Sequence, residues 1–210
     1  MSTRLTPLLA ICWLLSACSH LLAPLVPPPM PLQPPAELGE HLQYSQLVVL
    51  GQGLRPVSAA DNATGNTTDI TEHGAGSLSM LAAWSVTASG LDIAGLTLTG
   101  QKLLVLGYDG VDFTEYYSPL FGGQLPGRDI MSQLQLAYWP LDIIERQLQG
   151  SPWQLGTEQQ GRTLYLNSRK ALTIHRVTGD TETEENTLVI NNYLGNYHLL
   201  ISTLSRVVLP

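Results

Sequence analysis

Between residues 126 and 150 the apolar residues recur with a helical period, and Trp139-Pro140 cuts that run in two. Proline lacks the N–H that a helix interior needs, and it disfavours helical geometry in the residue before it. Ile130, Leu134, Ala137 and Tyr138 fall on one face of the first piece. Leu141, Ile144 and Leu148 share a face of the second, which Gly150 ends. Pro126-Gly127 breaks the chain beforehand, and Asp129 stands where negative charge suits a helix start. Residues 128–149 are therefore expected to be helical with a break at Trp139-Pro140. Neither piece is long enough to hold alone, so both need an apolar surface to lie against.

That surface is predicted to be a sheet. Leu103 to Leu106 form a continuous apolar run, which suits a strand covered on both faces. Asp109-Gly110 follows, and Asp-Gly between apolar runs signals a two-residue type I′ hairpin. After it, Val111 and Phe113 alternate with Asp112 and Thr114, so residues 103–108 and 111–117 are expected to pair antiparallel. Leu91 and Ile93 are in one phase, Leu96 and Leu98 in the other, which predicts a bulge or bend at Gly95.

More strand signals flank this centre. Residues 44–50 read as a first strand. Leu78, Met80, Ala82, Trp84 and Val86 alternate with smaller or polar residues, which places Trp84 on the inner face. Residues 153–157, 162–166, 172–177, 187–192 and 197–204 read as strands, with turns at Asn167-Ser168 and Gly195-Asn196. Residues 55–76 and 180–186 are polar and read as loops. The sum is about ten strands and two short helices, an antiparallel sheet large enough to curl on itself.

The first eighteen residues have a different character. Arg4 precedes an apolar stretch, Leu5 to Leu15, that is too short to span a bilayer as a helix. Leu15-Ser16-Ala17-Cys18 matches a lipobox. Residues 1–17 are therefore expected to be a removed signal peptide. Cys18 would be the acylated mature N-terminus, its palmitate-like chains holding the protein at a membrane. Ser19 at the next position resembles the pattern of lipoproteins sent on to the outer membrane. Residues 18–35 carry seven prolines and suggest an extended tether reaching roughly 50 Å. Residues 36–210 would then form one domain, long enough for a full core.

Charge and motif searches exclude more than they propose. Without Arg4, 9 Lys and Arg face 17 Asp and Glu, a net charge of −8 that argues against nucleic acid. No metal-ligand spacing and no nucleophile elbow occur, and the five histidines are scattered. No catalytic residue, metal or cofactor is assigned, and the chain is not expected to be an enzyme.

Several segments carry a resemblance. Residues 91–96, 101–110, 118–120, 125–127 and 134–141 (the last reading LQLAYWPL) are similar to a family of uncharacterised bacterial lipoproteins often encoded with aryl-polyene biosynthesis genes. Residues 91–150 also resemble the lipoprotein carriers LolA and LolB. That likeness implies a mainly β, α+β fold: an incomplete antiparallel barrel with a helical lid over an apolar cavity that takes acyl chains. Trp84, Phe113, Ile130, Leu134, Tyr138, Leu141 and Ile144 are the candidate cavity residues. LolB exposes a Leu in a Pro-Leu-Gly turn at the membrane. Here the turn is Leu98-Thr99-Gly100, with Leu98 the candidate membrane-facing residue and Thr99 at the matching position.

These implications lead to an outer-membrane-anchored periplasmic lipoprotein that binds or transfers an acylated or polyene lipid. A scaffolding lipoprotein docked on an outer-membrane or periplasmic protein is the alternative. A hydrolase or acyltransferase with an unrecognised site is a second. No charged residue recurs on the apolar faces, so the cavity itself is expected to show little headgroup selectivity.

Overall fold

The computed structural model describes residues 27–54, 77–121, 125–158, 161–177 and 187–210. Cys18, the signal peptide and the polar stretches 55–76 and 180–186 lie outside these. Among the described residues ten strands occur in chain order: β1 (Leu42–Gln52), β2 (Leu78–Thr87), β3 (Gly90–Leu96), β4 (Lys102–Tyr108), β5 (Phe113–Tyr117), β6 (Trp153–Glu158), β7 (Gly161–Leu166), β8 (Arg169–Arg176), β9 (Thr187–Asn192) and β10 (Tyr197–Val208). Helices α1 (Gly127–Tyr138) and α2 (Leu141–Leu148) stand between β5 and β6.

All ten strands join one antiparallel sheet in the order β5-β4-β3-β2-β1-β10-β9-β8-β7-β6. It consists of two five-stranded meanders joined along β1 and β10. The edges are β5 and β6, and the helical segment is the connection from one edge to the other. This is the open antiparallel sheet with two helices that the sequence predicts, with the helix break at Trp139-Pro140.

The inner face is set by strand alternation. On β1, Leu42, Tyr44, Gln46, Val48 and Leu50 are buried while their neighbours are less so. Directly opposite on β2 stand Val86, Trp84, Ala82, Met80 and Leu78. The predicted change of phase at Gly95 does not occur: register shifts between Gly95 and Leu96, but the extra residue is Leu103 on β4, and β3 keeps one phase with Leu91, Ile93 and Gly95 buried. Leu103, at that bulge, and Leu104 are both buried, whereas Val105 of the same apolar run is half-buried.

Four other expectations need correction. The turn at Asp109-Gly110 is not a two-residue hairpin. The last pair is Tyr108–Phe113, so four residues form the loop. The Asp109 carboxylate accepts from the N–H groups of Val111 (2.8 Å) and Asp112 (2.7 Å), closing a wider turn. Val111 is left outside the strand and 83 % exposed.

Second, the predicted stripe Ile130, Leu134 and Tyr138 is only half-buried, whereas Met131, Gln135 and Leu136 are fully buried. Third, Ile144 and Leu148 are buried on α2, but Leu141 is 37 % exposed. Fourth, packing reaches back to Met30, inside the stretch expected to be tether. Met30, Leu32, Gln33 and Pro35 are buried, and residues 35–38 form a 3-10 turn.

This strap explains the second correction. The Gln33 N–H donates to Gln135 Oε1 at 2.7 Å, and Gln135 Nε2 donates to the Gln33 carbonyl at 2.7 Å. Gln147 on α2 donates to the Leu32 carbonyl at 3.2 Å. Helix α1 thus has the strap on one side and the sheet on another, so an amphipathic stripe understates its burial.

Candidate functional site

The break between the helices borders a hollow of the protein. In an unbroken helix the Leu136 carbonyl would accept from the N–H of residue 140. Pro140 has none, so that carbonyl is left without its helical partner. Arg162 on β7 supplies the donor: its Nη1 donates to the carbonyls of Leu136 and Trp139, the latter at 2.8 Å. A guanidinium at a helix C-terminus also suits the dipole. Burial pulls the Arg162 pKa below its usual value, and the nearby positive charge of Arg176 pulls it the same way.

Beside this junction lies a cavity of about 490 Å³. Leu38, Leu42, Tyr44, Ala137 and Tyr138 supply its apolar and aromatic lining, and Thr203 contributes a hydroxyl. Glu40, Arg162, Arg176 and Arg206 supply the charge. The aromatic part is a tight group. Tyr44 stacks on Trp84 at 4.3 Å between ring centroids, and Tyr138 tilts against both at 5.1 and 5.0 Å.

A buried glutamine holds that group in place. Gln46 Oε1 accepts from the Trp84 indole N–H at 2.9 Å. Its Nε2 donates to the Tyr138 hydroxyl at 2.6 Å and to Thr203 Oγ1 at 3.3 Å. One amide therefore ties β1, β2, β10 and the end of α1 together. Burial pushes the Tyr138 phenol above its usual pKa, and the bonds from Gln46 and Thr203 partly offset this.

Arg206 reaches this cavity because of a bulge. Register along β1 and β10 shifts between Ser45–Ser205 and Gln46–Thr203, leaving Leu204 unpaired and 59 % exposed. Beyond it the phase of β10 is inverted, as a one-residue insertion must do. Arg206 is then directly opposite Tyr44, with its guanidinium 6.0 Å from the ring centroid. It also donates to Glu40 at 3.1 Å.

The candidate residues are thus partly gathered. Trp84 and Tyr138 meet, and Tyr138 lines the cavity while Trp84, 2 % exposed, stands behind Tyr44. Ile144 is core. Ile130 and Leu134 pack against the core from α1. Phe113 lies elsewhere, in a hollow of about 300 Å³ at the start of α1 with Glu115, Tyr117 and Arg128. There Tyr117 donates to Glu115 at 2.9 Å, and burial together with that carboxylate raises the phenol's pKa to about 12. Leu98 is 62 % exposed in the β3–β4 turn.

Sequence reasoning missed Tyr44, Gln46 and the three arginines. A glutamine in the middle of the alternation Leu42, Tyr44, Gln46, Val48, Leu50 is the signal that could have marked a buried polar node. The expectation of little headgroup selectivity does not fit this cavity, whose charged residues are three Arg and one Glu. Among the described residues no three His, Cys, Asp or Glu side chains come within reach of one metal ion. No described helix is long and apolar enough to cross a membrane.

Comparison with known proteins gives three findings. A family model described as "Protein of unknown function (DUF3261)" matches residues 68–205. A crystal structure of a domain named for outer membrane lipoprotein sorting, from Vibrio parahaemolyticus, aligns with 80 % of this chain and 85 % of its own, at 6 % identity and a TM-score of 0.42. No curated protein matches the chain.

Proposed function

We propose a function for this chain from the premise that it belongs to the DUF3261 family of proteins of unknown function: it binds an acylated or polyene lipid in the cavity at the helix break. The observation that carries the reading is the cavity of about 490 Å³ with an aromatic and aliphatic lining. That volume is within the roughly 300–1,000 Å³ of small-molecule sites. Burying one methylene is worth roughly 0.8 kcal/mol, so a chain of about ten would supply about 8 kcal/mol before ordering costs. The resemblance to LolA and LolB supports carriage rather than catalysis. Transfer of the lipid or of a lipoprotein's acyl chains is the activity it suggests.

The same proposal places the protein on the periplasmic side of the outer membrane, anchored through Cys18. Leu98 at its exposed turn is the residue we assign to membrane encounter. Mass spectrometry of the native protein is expected to show acyl mass on a peptide beginning at Cys18. A Cys18→Ala variant that still fractionates with the outer membrane would refute the anchor.

The binding proposal is tested on the full chain carrying Cys18→Ser. A domain cut at Ala36 would lose Met30, Leu32 and Gln33, all buried. The full chain is expected to bind a fluorescent long-chain fatty acid with micromolar affinity. Ala137→Phe, which fills the cavity from α1, is expected to weaken uptake at least about tenfold with an unchanged circular dichroism spectrum, overpacking costing about 1–3 kcal/mol. No uptake by the parent chain, and no lipid on the protein recovered from cells, would favour the scaffolding role instead.

A further inference from the structure

The arginines at this cavity indicate what its ligand carries at the polar end. The whole chain has a net charge of −7 and only 10 Lys and Arg, yet three of its eight arginines border one cavity. Their placement is built into the fold. Arg162 stands opposite Ile174 on β8, and Arg176 lies two residues further along that strand on the same face. Arg206 is brought to that side by the Leu204 bulge.

Their charges are unevenly matched. Glu40 takes up Arg206 at 3.1 Å. Arg162 is engaged by backbone carbonyls, which leave its positive charge uncancelled. Among the described residues no carboxylate is paired with Arg176, which is exposed at the cavity. The two guanidiniums are close enough that Arg176 depresses the Arg162 pKa. Among the described residues Glu40 is the one carboxylate that lines the cavity with these three guanidiniums.

We propose that the cavity takes a single-chain amphiphile with an anionic head, a carboxylate or a phosphate monoester. The chain lies against Tyr44, Ala137 and Tyr138, and the head sits between Arg176 and Arg206. Guanidinium forks match both kinds of oxyanion with two parallel hydrogen bonds, so Arg rather than Lys suits this position. Glu40 holds Arg206 in the empty site and competes with the ligand for it. The inference rests on the lipid-binding reading above and specifies its ligand class.

The test uses the full chain carrying Cys18→Ser and a displacement assay with four competitors of defined chemistry. These are a long-chain fatty acid, the fatty alcohol of the same length, a lysophosphatidic acid and inorganic phosphate. The acid and the lysophosphatidic acid are expected to bind at least about tenfold more tightly than the alcohol. Arg176→Gln combined with Arg206→Gln should remove that difference. Glu40→Gln should tighten the anionic ligands several-fold. Inorganic phosphate should not compete below millimolar concentrations. Thermal melts of each variant report folding.

Equal binding of acid and alcohol in the parent chain, or a difference that survives the double substitution, overturns the anionic-head inference while lipid binding stands. Phosphate competing as well as the amphiphiles overturns it too, since the site would then recognise a free anion. Failure of all three amphiphiles to bind sinks the lipid-binding reading itself, and the inference with it.

Discussion

Trp84→Ala is expected to lower the unfolding free energy by about 3–5 kcal/mol from lost burial alone. Trp84 is 2 % exposed, stacks on Tyr44 and supplies the indole N–H that Gln46 accepts. Removing it also leaves Gln46 Oε1 buried without a donor, which adds about 1–3 kcal/mol. Domains of this kind have only about 5–15 kcal/mol in total, so the variant should be near the limit of folding. Trp84→Phe keeps the ring stack and loses the hydrogen bond, so it should cost less than half as much. Equilibrium urea denaturation measures both. An unfolding free energy of Trp84→Ala within about 1 kcal/mol of the parent's would show that the aromatic group is not a centre of stability.

The second large effect is expected at Gln135, a residue with no exposed surface. Both polar atoms of its side chain bond the backbone of Gln33, which is itself buried. Gln135→Ala would leave that N–H and that carbonyl in a dry site, at a cost of about 2–5 kcal/mol. The damage should be local first. Amide hydrogens of residues 30–38 should exchange faster by a hundredfold or more, while those of β1 and β10 keep most of their protection. Gln147→Ala removes one longer bond to Leu32 and should loosen the strap far less. Unchanged exchange in the strap of Gln135→Ala would mean that Met30 and Leu32 hold it without the glutamine.

These two residues mark where sequence reading succeeds and where it stops. Trp84 was legible because a strand with one buried face alternates, and Met80, Trp84 and Val86 all fall in one phase. The helix break was legible because proline acts locally, whatever surrounds it. Gln135 was not, since a glutamine between Leu134 and Leu136 reads as a solvent-facing position. It becomes a core residue only because a proline-rich strap crosses it, and prolines at an N-terminus read as linker. Arg206 was hidden for another reason. Tyr197, Leu199 and Ile201 set an inward phase that would put Arg206 outside, and only the bulge at Leu204 reverses it. A bulge depends on the strand it is paired with, so the sequence of β10 alone does not disclose it. Arg162 could have been found by asking what satisfies the Leu136 carbonyl once Pro140 is placed.

The adjacency of β1 and β10 also dictates an order of events in time. Within each meander every strand pairs with its neighbour in the chain, so β1 to β5 and β6 to β10 can each form from nearby residues. The junction between them is another matter. Its partners stand 145 residues apart at Gln52–Tyr197 and 166 at Leu42–Val208. The open side of β1 has no strand to pair with until β10, 145 or more residues further along the chain, is available. Two half-sheets with unsatisfied edges must then find each other, and closing so long a loop is the slow, entropically costly step. Until it happens Gln46 lacks Thr203, Tyr44 lacks Arg206, and the cavity has only part of its wall. The complete wall of the cavity is therefore acquired last, at the same moment as the fold itself.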